Sequence, residues 1–94
     1  MKLEKHRHDS STQQVERICK QYGVEVSYDE FCLNIEFKDG KTLSYVFGVN
    51  GTKTILQDIL DGIHGRVFKD NRFIGYAPKC KSLEEILVNV DMMM

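Results

Sequence analysis

From Phe31 to Phe47 the chain alternates apolar and polar positions. Phe31, Leu33, Ile35 and Phe37 alternate with Cys32, Asn34, Glu36 and Lys38; past Asp39-Gly40, Leu43, Tyr45 and Phe47 alternate with Thr42, Ser44 and Val46. A period of two sends successive side chains to opposite faces of a strand, so this stretch predicts a hairpin with one buried face. Register decides its turn. A two-residue Asp39-Gly40 loop would oppose Ile35 to Ser44 and set every large apolar side chain against a polar one. A three-residue loop, Lys38-Asp39-Gly40, instead pairs Phe37 with Lys41, Ile35 with Leu43, Leu33 with Tyr45 and Phe31 with Phe47, and one face becomes apolar. The prediction is a type I turn with Gly40 left-handed, followed by a bulge.

Helical periods flank this hairpin. Val15, Ile18, Cys19 and Tyr22 form one stripe behind a capping box, Ser11-Thr12-Gln13-Gln14, and Gly23 supplies a left-handed stop, so a helix is predicted over 12–22. Val24, Val26 and Tyr28 alternate with Glu25 and Ser27 as a short strand, with Asp29-Glu30 as a turn or bulge. After a break at Gly48-Val49-Asn50-Gly51, Thr52 is the expected cap for a second helix with Ile55, Leu56, Ile59, Leu60 and Ile63 inward. Gly62 and Gly65 bracket its end, and His64 sits in the last turn. Arg66–Lys69 and Arg72–Tyr76 flank Asp70-Asn71, a two-residue hairpin turn that pairs Phe68 with Phe73 and Val67 with Ile74. Both faces of that hairpin are apolar, so the pattern does not say which is inside, although one aromatic pair is expected in the core. Pro78 ends the strand. Ser82-Leu83-Glu84-Glu85 is another capping box, and Ile86, Leu87 and Val90 continue it as a helix; the β-branched run 86–90 reads alternatively as a strand. Met92-Met93-Met94 reads as a frayed end.

The predicted order is α-β-β-β-α-β-β-α. Consecutive hairpins imply a mainly antiparallel sheet with helices on one face, an α+β two-layer sandwich over residues 10–94 behind a flexible arm at 1–9. The hairpin-helix-hairpin order from Phe31 to Tyr76 also fits a ubiquitin-like β-grasp core, by order alone. Hairpin-plus-helix recurs at 31–64 and 66–91 without other sequence likeness.

Composition narrows the function. Ninety-four residues, 41% hydrophobic and 29% charged with a single proline, describe one globular domain with a modest core and little room for a large cleft. Thirteen Lys+Arg against 14 Asp+Glu exclude a chain that is basic overall. Cys19, Cys32 and Cys80 are odd in number and lack a Cys-x-x-Cys pair, which points to reduced thiols in a cytoplasmic protein rather than a secreted scaffold. The first ten residues lack the apolar segment of a signal peptide, and no apolar run approaches a membrane span. The lone alanine, Ala77, beside many Lys, Asp, Ile and Val suits AT-rich coding, as in a phage or other mobile element.

Three patterns carry a trace of chemistry. His6-Arg7-His8 offers two imidazoles, with Cys19 as a third ligand, but lacks the paired spacing of zinc sites. A thiol nucleophile needs an adjacent base, and His64 is the only histidine outside the arm. Gly48-x-x-Gly51-Thr52-Lys53 precedes a helix, but a Walker loop needs four residues between Gly and Gly-Lys. No catalytic, cofactor or metal site is therefore expected.

Two surfaces remain. The outward face of the central hairpin, Cys32, Asn34, Glu36, Thr42, Ser44 and Val46, is mild and nearly uncharged, as interface cores are, and suits a protein partner or a symmetric homodimer. The stretch 66–81 carries Arg66, Lys69, Arg72, Lys79 and Lys81 against Asp70 alone, with Phe68, Phe73 and Tyr76 interleaved. That mixture of cations and rings suits nucleic acid. The expectation is a small non-catalytic interaction module, an accessory, regulatory or inhibitor protein, with nucleic-acid binding through 66–81 as the alternative.

Overall fold

The structure, a computed structural model, describes residues 10–29, 32–46, 54–61 and 65–93. The elements run α1 (Thr12–Gln21), β1 (Glu25–Asp29), β2 (Cys32–Glu36), β3 (Lys41–Val46), α2 (Ile55–Asp61), β4 (Arg66–Lys69), β5 (Arg72–Tyr76) and α3 (Leu83–Asp91). The arm with His6 and His8, the pair Phe31–Phe47, the Gly48–Lys53 loop, Gly62, Ile63, His64 and Met94 lie outside the described residues.

The five strands form one sheet in chain order, every neighbouring pair antiparallel. No crossover brings non-consecutive strands together, so the β-grasp alternative is set aside and the α+β two-layer reading stands. The central hairpin has the three-residue loop. Ile35 pairs with Leu43 and Leu33 with Tyr45. The Phe37 N–H donates to the Lys41 carbonyl at 2.8 Å, and Gly40 has φ +95°.

Leu33, Ile35, Phe37, Leu43, Tyr45 and Val67 on one sheet face meet Val15, Ile18 and Cys19 of α1, Ile55 and Ile59 of α2, and Leu83, Ile86, Leu87 and Val90 of α3. Each fully buried aliphatic side chain contributes roughly 1.5–3 kcal/mol. Gly65 is buried where a Cβ would lie 2.7 Å from Leu43 and 2.8 Å from the Tyr45 ring, so β4 enters the sheet only without a side chain there.

Helix ends show where local rules hold and where packing overrides them. Gly23 (φ +71°) closes α1 as predicted: its N–H donates to the Lys20 carbonyl, and the Val24 N–H reaches back to Cys19, both at 3.1 Å. The Ser82 hydroxyl accepts from the Glu85 N–H at 3.2 Å, and 86–90 is helix. The Ser11–Gln14 capping box does not form. Ser11 makes no side-chain cap bond to α1; its hydroxyl accepts the Leu56 N–H at 3.1 Å and so caps α2 from a distance. The cap expected at Thr52 falls outside the described residues, and the work is done by Thr54. Its hydroxyl accepts the Gln57 N–H while the Gln57 amide oxygen accepts the Thr54 N–H, each at 3.2 Å.

Two further expectations are corrected. Val67 pairs with Gly75, not Ile74, because an irregularity between Val67 and Phe68 inserts Ile74 as an extra residue in β5. Met93 is not frayed. It packs against the core, and its Cε lies 3.4 Å from where a Gly75 Cβ would sit.

Candidate functional site

The three helices cover one face of the sheet, and no element among the described residues covers the other. Register places its side chains in rows across the strands. One row holds Ser27, Asn34, Ser44, Arg66 and Tyr76; the next holds Glu25, Glu36, Thr42, Phe68 and Phe73; Cys32 and Val46 share a third. The five residues expected to meet a protein partner, Asn34, Glu36, Thr42, Ser44 and Val46, therefore share this open face. Asn34, Thr42 and Ser44 are half-buried by their neighbours, and Glu36 and Val46 are exposed.

The second hairpin resolves its ambiguity against the expected aromatic core pair. Val67 points inward, and Phe68 and Phe73 point to the open face. The Phe68 and Phe73 rings meet edge to face with centroids 5.8 Å apart, and Phe73 and Tyr76 at 5.2 Å. Phe73 is 50% and Tyr76 60% exposed. Three touching rings at a sheet margin form a contiguous apolar ridge, a more specific sign of an interface than scattered surface hydrophobes. Beside it lies a shallow depression of about 300 Å³ lined by Asn34, Thr42, Ser44, Phe68 and Asn71. Asn71 gets there because the Asp70-Asn71 turn holds both residues left-handed, at φ +51° and +68°.

The basic residues of 66–81 do not gather into one patch. Arg66 is on the open face, next to Tyr76. Lys69 and Arg72 pair with each other on the opposite parity, in the row that contains Lys41. Lys79 is spent on the fold: its Nζ donates to the Asp61 carbonyl at the end of α2, 2.6 Å away. Lys81 is exposed in the loop before α3.

Sequence reasoning missed a second concavity of about 280 Å³ where the end of α1 meets α3, with Tyr22, Val24, Phe37, Val88, Asp91 and Met92 among its lining. Reading Met92 as part of a frayed tail hid it.

The reactive groups are subdued. Burial, aided by the nearby Glu16 carboxylate, pushes the Cys19 thiol up to about 12, so it is not a thiolate at neutral pH. Cys32 and Cys80 are half-buried and unbridged. No cluster of three His, Cys, Asp or Glu able to hold a metal exists among the described residues, and no helix among them is long and apolar enough to cross a membrane.

Comparison with protein-family models, with curated proteins and with solved structures finds no match to this chain.

Proposed function

We propose that this chain is a small non-catalytic interaction module that binds a protein partner through its open sheet face, acting in the cytoplasm with its cysteines reduced. The observation that carries this reading is the ridge of touching rings Phe68, Phe73 and Tyr76, in which Phe73 and Tyr76 are exposed, beside the neutral centre of Asn34, Thr42 and Ser44. Exposed rings cost solvation unless something covers them, and aromatic anchors beside small polar groups are how interface centres are built. Size and composition suit an accessory, regulatory or inhibitor role, and the residue usage suits an origin in a phage or other mobile element.

Phe73 replaced by photoreactive benzoylphenylalanine tests this in the native host. Discrete protein adducts are expected there, and none from the same probe at Gln13 on the exposed side of α1. Absence of any protein adduct from Phe73 overturns the reading.

One observation favours single-stranded nucleic acid as the second reading: two exposed rings, Phe73 and Tyr76, with Arg66 alongside could stack bases. Glu25 and Glu36 on the same face, and the dispersal of Lys69, Arg72, Lys79 and Lys81, weaken it. Nucleic-acid adducts at Phe73, and retention on single strands at low salt that Arg66→Glu abolishes, are its signature.

A further inference from the structure

Resting on the reading above, that the open face is the docking surface, we propose that its occupant is a second copy of this chain, packed face to face about a two-fold axis running along β3. The two flanks of the face carry opposite chemistry. On the β1–β2 flank, Glu25 and Glu36 stand directly opposite each other and are both exposed. Like charges so placed destabilise a sheet, and a feature that violates a local rule is a reason to look for a compensating partner. On the β4–β5 flank, Arg66 is exposed beside the aromatic ridge. None of these three side chains has an ion-pair partner among the described residues.

A two-fold axis along the central strand exchanges the flanks. It lays β1 and β2 of one copy over β5 and β4 of the other, so each glutamate pair faces the second copy's Arg66. Arg66 stands one row away, about 7 Å along the strand, within reach of an extended guanidinium. An axis across the strands would stack acidic flank on acidic flank. The chosen axis also lays Tyr76 of each copy over Ser27 of the other, and Phe73 and Phe68 over the aliphatic stems of Glu25 and Glu36, whose carboxylates then turn along the strand toward Arg66. Thr42 and Ser44 lie on the axis, where small side chains allow the roughly 10 Å spacing of packed sheets. The formal net charge of -1 opposes association only weakly. Five strands about 4.8 Å apart make a face of modest area, so the pairing is expected to be reversible.

Sedimentation velocity of the full chain over a concentration series is expected to show a reversible monomer–dimer equilibrium that salt weakens. Arg66→Glu and Glu36→Arg should each weaken dimerisation about tenfold or more, because each sets like charges together twice. An equimolar mixture of the two variants should restore association as a heterodimer, in which both contacts between positions 36 and 66 again join opposite charges. Unchanged thermal unfolding of the variants shows that the fold survives. A chain that stays monomeric into the millimolar range, or a dimer indifferent to both substitutions, overturns the proposal. If such a monomer still gives protein adducts at Phe73, self-pairing falls and the docking reading stands; if no adduct forms, both fall.

Discussion

Lys41 is a charged residue at a position that belongs, by strand parity, to the core. Its side chain is 2% exposed, and its Nζ donates to the Asp39 carboxylate and, at 3.1 Å, to the Asp91 carbonyl at the end of α3. The ammonium therefore ties the β2–β3 turn to the negative end of a helix, where a cation is favoured. Lys41→Ala removes both the packed stem and these bonds and should cost about 2–3 kcal/mol in chemical denaturation. Lys41→Met keeps the stem and should cost about 1 kcal/mol. The position was legible, since the predicted register already set Lys41 opposite Phe37; the compensating carbonyl, fifty residues away, was not. The bonds donated by Lys41, side chain first and then backbone N–H, hold the Asp39 carboxyl below its ordinary 3.8. An acid with a lowered value contributes stability above its ordinary value and loses that contribution as pH falls through the lowered one. The unfolding midpoint should thus be insensitive to this group from neutral pH down to about 4 and decline below it. Asp39→Asn should flatten that acid-side decline in a pH series of melts.

At the scale of elements, α2 has seven residues, too few to stand alone, so its start must be held. The Thr54–Gln57 box does this locally and Ser11 does it from the start of α1. Thr54→Ala should cost about 1 kcal/mol, with Thr54→Ser recovering most of it, in denaturant titration. The spacing that marks this box was present in the sequence, since Gln57 follows Thr54 by three, whereas Thr52 has no such partner. Ser11 shows the opposite failure: it satisfied the local rule for α1, and packing turned its hydroxyl to another helix. The hairpin 66–76 was unreadable for a third reason. Val67 and Phe68 both present apolar side chains, as do Phe73 and Ile74, and one inserted residue changes the phase without leaving any mark in the hydropathy pattern.

For the molecule as a whole, alternation over 31–47 and the three helical stripes were enough to specify a single layer of strands beneath a single layer of helices. What they could not specify was which chemistry the uncovered face would carry. That depended on Phe68 and Phe73 turning outward, on Arg66 joining them, and on Lys79 being drawn away to α2. The residues read from β2 and β3 therefore make up half of a larger sheet face that also carries Arg66, Phe68, Phe73 and Tyr76.

The extra residue in β5 has a further effect. A straight outermost strand would offer a regular row of N–H and C=O groups on which copy after copy could add, lengthening into a fibre. Here the offset at Ile74, and Gly75 with φ +151°, put that row out of step within its five residues. An edge so broken is a poor template for strand-by-strand growth, and restoring its regularity by deleting Ile74 should raise the tendency to form fibres in a dye-binding assay.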